Sequence, residues 1–401
     1  MLASRGRGRA ARVGTDRVAE QTSEPWRVGI LFSRSGITKV TETEHFFGTT
    51  LAIEEINAAG GVAGREIEPV AYDPASDHRR FSHFAERLLT EDAVSTIFGC
   101  STSFSRKAVL PSIERRNGLL WYPSLYEGFE YSPNVIYTGA APNQNSVQLA
   151  DYVFETYGSR IYLIGSDYIY PRESNRIMRD LLDARGGTAV AERYLDLHAA
   201  DDAILDAIAD IQTLRPDVVF STVVGRSAQR LYRLYADAGL RADHIPIASL
   251  TMGEGEIRAI GPEATVGHIT SSPYFSTVDT QENHGFVARF RRRFGPDAPV
   301  SQYAEAAYYQ VYLFARALEA AGTLNPQKLC AEALGMEAAA PQGLVTIDPD
   351  NNHTYVTPRI GRVEADGTFM IVSEAAAPLK PDPYLIHHWR SEEVMLPVGA
   401  D

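Results

Sequence analysis

Hydroxyl and aromatic side chains gather just after short apolar runs in this sequence. Ser101, Thr102 and Ser103 follow residues 94–98, Ser124 follows 119–122, Tyr168 and Tyr170 follow 161–164, and Thr222 follows 218–220. Serine and threonine hydroxyls both donate and accept hydrogen bonds, and tyrosine offers an apolar wall with a polar tip. Asp167 is the one ionisable residue in the set. Such a set suits a neutral polar molecule, because an ionised one would need a buried counter-charge. Tyr168 and Tyr170 are two apart and would share a side in extended chain. Ser103 stands just before a helix that opens with Arg106 and Lys107, the place of an N-cap. The free N–H groups of that helix end also suit a carbonyl oxygen.

The same residues argue against catalysis. Nucleophilic hydrolysis needs Ser or Cys within reach of a base. No G-x-S-x-G elbow occurs, and no histidine follows a strand-like run. Cys100 has no His or Lys placed beside it by sequence, and Cys100 and Cys330 both read as buried free thiols. The tight histidine pair, His387 and His388, would point to opposite faces of a strand and makes a poor chelate. Neither a P-loop nor G-x-G-x-x-G opens a helix after a strand. The chain is therefore expected to bind no metal, nucleotide or other cofactor, and not to be an enzyme.

Alternating elements must position these residues. Apolar runs at 28–32, 67–72, 94–98 and 119–122 read as buried strands, with helical spacing over 46–56, 81–89 and 106–116 between them. Strands at 161–164, 190–194, 218–220 and 245–249 repeat the pattern, with a helix over 174–184. From Val345 onward, alternation and turn signals predict a β-rich segment. The fold class is α/β, and ligands of open parallel sheets sit beyond the carboxyl ends of strands.

With 401 residues, the chain has room for two domains. The net charge of -13 repels phosphate backbones, so no direct nucleic-acid partner is expected. Arg5, Arg7, Arg9 and Arg12 read as part of a solvated, disordered tail over residues 1–25. No apolar run approaches the roughly 18 residues of a membrane span, so no membrane insertion is expected. Residues 1–25 lack the apolar core of roughly 7–15 residues of a secretory signal. The expected location is cytoplasmic, or periplasmic should the start codon be misassigned.

Five longer stretches carry a family likeness: GREIEPVAYDPASD, FGCSTSFSRKAVLP, LLWYPSLYEGFEYSPNVIYTGAAPNQ, GSDYIYPRES and PDVVFSTVVG. Together they resemble the type I periplasmic-binding-protein family from about Trp26 to about Tyr384. Two branches are similar: cytoplasmic amide sensors of amidase operons, and urea or short-amide receptors of ABC transporters. The resemblance implies two Rossmann-like lobes joined by three crossover strands. Residues 26–143 with 275–345 would form the first lobe, and 144–274 with 346–401 the second. It implies ligand contacts at Ser103, Tyr122 and Ser124, at Tyr168 and Tyr170 from the other lobe, and further at Thr222 and Tyr274. Ser101 stands where the sensors carry an aromatic, Ser124 where they carry Thr, and Leu125 where Pro is common; smaller side chains imply a larger pocket.

The function so implied is binding of a short aliphatic amide or urea between the lobes. Closure would regulate amidase-type gene expression through a partner, an antitermination regulator. The alternative is a receptor that feeds a urea or short-amide ABC transporter. Either leaves room for a homo-oligomer.

Overall fold

A computed structural model describes residues 24–386. The basic run, nearly all of the expected tail and the His387–His388 pair lie outside the described residues. The chain opens with β1 (Trp26–Leu31), α1 (Lys39–Ala58), β2 (Ile67–Tyr72), α2 (His78–Thr90), β3 (Thr96–Gly99), α3 (Ser103–Arg115), β4 (Leu119–Tyr122) and β5 (Val135–Tyr137). The five strands are parallel, in the order β2-β1-β3-β4-β5.

A second sheet follows: α4 (Pro142–Thr156), β6 (Arg160–Ser166), α5 (Ile169–Ala184), β7 (Thr188–Leu195), α6 (Asp201–Leu214), β8 (Val218–Thr222), α7 (Gly225–Asp237), β9 (Ile247–Ser249), α8 (Glu254–Ile260) and β10 (Ile269–Ser272). The chain then returns to the first sheet with α9 (Gln281–Phe294), α10 (Gln302–Ala321) and α11 (Pro326–Ala333). Next comes a small antiparallel sheet of β11 (Glu337–Ala340), β12 (Gly343–Ile347) and β13 (Thr354–Tyr355). Finally β14 (Arg359–Val363) and β15 (Phe369–Glu374) join the second sheet, β14 antiparallel to β10, in the order β15-β14-β10-β9-β8-β6-β7.

Both faces of the second sheet are covered, as the strand period requires. Tyr162, Ile164 and Val219 pack with α6 and α7, while Ile161, Leu163, Val218 and Phe220 pack with α4 and α5. In the first lobe Phe314 of α10 meets Phe98 and Trp121 edge-on, with ring centroids 5.2 and 6.2 Å apart. Such rings contribute about 1.5–3 kcal/mol each by burial, and the contact adds to it. They fix α10 on the sheet. Gly48 then lets α1 lie against α10, since a Cβ there would fall 2.0 Å from the Ala304 carbonyl oxygen. That close approach sets the start of α1 beside Tyr303.

The chain passes between the sheets three times, at residues 138–141, 273–280 and 356–358. The crossings are tied by buried polar bonds. Gln144 Nε2 donates to the carbonyls of Thr354 (3.0 Å) and Leu379 (2.8 Å), and Ser271 Oγ donates to that of Asn145 (3.1 Å). The expected boundary between residues 345 and 346 falls inside β12.

Local structure differs from expectation in two places that matter for the site. The helix expected from Ser174 begins at Ile169, so Tyr168 is its N-cap and Tyr170 lies in its first turn. Pro171 fits because the first turn asks no backbone donor of it. Thr102, not Ser103, caps α3: its hydroxyl accepts from Ser105 N–H, and the Ser105 hydroxyl accepts from Thr102 N–H.

Candidate functional site

The first lobe presents a helix end. Past β3, Cys100 takes a left-handed backbone (φ 67°) that turns the chain into the cap of α3. Cys100 is a buried free thiol, raised by desolvation, and Cys330 is free and half-buried. The N–H groups that open α3 have no carbonyl of their own helix to meet, so Ser103 offers a backbone donor at the positive end of the helix dipole.

Behind it lies a matched ionic cluster. The Ser103 hydroxyl donates to Glu127, and the fully buried Arg106 reaches Glu130 (2.6 Å) and Glu127 (3.6 Å). The guanidinium also lies over the rings of Tyr122 and Tyr126. Burial works against the Glu130 charge, yet Arg106 and Lys107 outweigh it and hold this carboxyl at about 2.

The second lobe presents Tyr168 and Tyr170, with ring centroids 6.2 Å apart, the start of α7 at Val224 and Gly225, and Thr251, Met252 and Glu256 after β9. The Tyr170 hydroxyl is buried with no partner among the described residues. Bonds from the first lobe close over this face. Thr41 Oγ1 donates to Glu256 Oε1 (2.7 Å), and Tyr303 Oη to the Thr251 carbonyl (2.9 Å). A Cβ on Gly225 would fall 2.9 Å from the Ile37 carbonyl oxygen, so the lobes touch there as well.

Between the lobes is a cavity of about 50 Å³. Among the described residues that line it there is no Lys, Arg or His, and Glu256 is the one ionisable carboxyl. Glu44, from α1, reaches the same region. It accepts from the Ser301 hydroxyl, and its Oε1 lies 1.8 Å from where a Cβ on Gly255 would stand. Burial pushes Glu256 up to about 7. Burial first, then the charges of Glu256 and Glu254, pushes Glu44 up as well.

The periplasmic binding protein domain matches residues 26–390. The chain belongs to the periplasmic binding protein family. The relatives that cover most of it are ligand-binding proteins of transporters, and this binding protein is no enzyme. It is 25% identical over 304 residues to the Leu/Ile/Val-binding protein homolog 6 of Brucella melitensis, covering 73% of this chain and 77% of that protein. It is 25% identical to the leucine-, isoleucine-, valine-, threonine- and alanine-binding protein of Pseudomonas aeruginosa, over 72% and 76% of the two. A solute-binding protein of an ABC transporter from Rhodopseudomonas palustris, solved with p-hydroxybenzoic acid, superposes with a TM-score of 0.82 at 23% identity, covering 91% of this chain and 100% of that one. LivJ from Streptococcus pneumoniae, solved with isoleucine, gives 0.78 at 20% identity, over 89% and 100%. The fold is that of type I periplasmic binding proteins.

In this binding protein, Ser101, Thr102, Ser103, Ser124, Tyr168 and Tyr170 meet around the cavity. Three expected contacts do not. Tyr122 turns away into the first-lobe core and donates to the Ser101 carbonyl at 2.8 Å, bracing the loop from behind. Thr222 points toward α5 and donates to Asn175 Oδ1 at 2.9 Å. Tyr274 lies in the first-lobe core and donates to Asn283 Oδ1 at 2.6 Å. Sequence reasoning missed Thr38, Thr41, Thr251, Tyr303 and, most consequentially, Glu256. The expectation that the cleft is neutral is corrected at that residue.

Proposed function

We propose that this protein closes over a short neutral amide or urea. The observation that carries this reading is the size and lining of the inner cavity. A cavity needs at least about 10–15 Å³ to hold one water, so about 50 Å³ suits a small molecule or the polar head of a larger one. Urea, acetamide and the amide head of a longer ligand fit there, and it is charge that sets isoleucine and hydroxybenzoate apart. The ligand carbonyl would accept from the opening N–H of α3 and from Ser101 or Ser124. Its N–H group would donate to Glu256, with the Tyr170 hydroxyl completing the shell. A carboxylate ligand would meet no lining cation and would face Glu256.

Titration calorimetry tests this reading. Urea or acetamide should bind, and isoleucine and 4-hydroxybenzoate should not; tight binding of either acid, with neither amide bound, overturns it.

The relatives among ABC-transporter binding proteins support delivery of the ligand to a permease. The likeness of YIYPRES and FSTVVG to the amide sensors supports a second reading, in which closure releases an antitermination regulator in the cytoplasm. Fractionation of native cells separates the two. A processed protein outside the inner membrane favours transport. A cytosolic protein that captures an RNA-binding partner only without amide favours the sensor.

A further inference from the structure

We propose that the ligand site continues past Tyr168 into a second chamber built for an apolar tail, so that the preferred ligands are amides bearing an aliphatic or aryl substituent. This rests on the amide reading above. The second chamber, about 250 Å³, shares Thr38, Thr102, Tyr168, Val224 and Gly225 with the inner cavity. Gly225 carries no side chain, so the partition there is bare backbone. The rest of the partition is the Tyr168 ring and two threonines.

Beyond it, Ile37, Phe81 and Phe104 from the first lobe face Leu197 and Val224 from the second. Phe104 is 44% exposed at the chamber's edge, its ring against His78 at 4.6 Å. The chamber's two carboxylates are already engaged. Glu42 accepts from Ser33 N–H (2.6 Å) and from the Thr38 hydroxyl, and Asp167 accepts from Arg172 (2.8 Å). What the chamber offers a ligand is therefore apolar surface drawn from both lobes, available only when the cleft is closed. Its volume accommodates on the order of ten or more non-hydrogen atoms. The polar head would be fixed by the inner cavity and the tail selected by the outer one.

The test is calorimetry with straight-chain amides from acetamide to octanamide, together with phenylacetamide, on wild type, Leu197→Trp and Phe104→Ala. Leu197 and Phe104 line the second chamber and not the first. In wild type, affinity should rise about fourfold per methylene once the chain passes Tyr168, following the transfer energy of a buried methylene. Either variant should flatten that rise and leave acetamide affinity unchanged, the first by filling the chamber and the second by removing a wall; two variants on opposite lobes guard against one that misfolds. If acetamide binds and affinity falls steadily with length, the tail subsite is overturned and the amide reading stands. If no amide of any length binds, both fall.

Discussion

Two clusters of buried charge flank the ligand cavity, and they are built in opposite ways. Arg106, Glu127 and Glu130 all belong to the first lobe, and the cation lies between the two anions. This cluster is complete whether the cleft is open or closed. Glu44 and Glu256 come from opposite lobes, carry like charge and meet only when α1 and α8 come together. A matched cluster within one lobe positions a donor. A mismatched one across two lobes makes closure depend on protonation, because two buried carboxylates side by side do not both ionise.

The sharpest way to break this contrast is Arg106→Met. Loss of the cation leaves Glu127 without a cation and Glu130 with Lys107 alone, and removing one partner of a buried pair costs about 3–5 kcal/mol. Thermal unfolding should report that loss with or without amide. A change below about 1 kcal/mol would mean that the cluster is not what holds the end of α3.

The second cluster predicts a pH dependence of binding. An open cleft returns Glu256 to water and its ordinary value of 4.5, while the closed cleft holds it at about 7. Closing therefore takes up a proton. Closure is unpenalised below about pH 4.5 and weakens as pH rises to about 7, after which the loss is complete. Amide affinity should fall over that range by at most about tenfold per pH unit for each proton taken up. Glu44→Gln removes the second buried carboxyl and should lessen the fall, while burial of Glu256 keeps the rest. A wild-type affinity independent of pH between 5 and 8 would show that the pair does not couple to closure. The smallest effect is expected from Tyr170→Phe, which deletes a buried hydroxyl that has no hydrogen-bond partner among the described residues. Folding stability should be unchanged and amide affinity should drop by about 0.5–1.5 kcal/mol. Unchanged affinity would place that hydroxyl outside the ligand's reach.

The alternating elements and much of the inner cavity were legible because strand ends in parallel sheets mark ligand positions. Ser101 to Ser103, Ser124 and the two tyrosines follow from that rule. It says how far along a strand a residue lies and not which way its side chain turns. Tyr122 and Thr222 therefore satisfy the rule and still point into the lobes. Glu256 was illegible for a different reason: it lies inside α8, not at a strand end. What buries it is α1, more than two hundred residues earlier and in the other lobe. No local pattern carries such a contact. The same holds for Tyr303, whose place depends on the packing of α10 against α1.

The bonds that join the lobes also bear on time. Thr41 to Glu256, Tyr303 to Thr251 and the contact of Gly225 with Ile37 enclose the cavity from both sides. A ligand gripped by both lobes loses one set of its contacts when these bonds part, so its departure is coupled to opening of the cleft. Residence time then belongs to the hinge as much as to the ligand. A compound with few contacts of its own can stay bound for as long as the lobes hold one another, and affinity differences between amides should appear mainly in how readily the closed state is left.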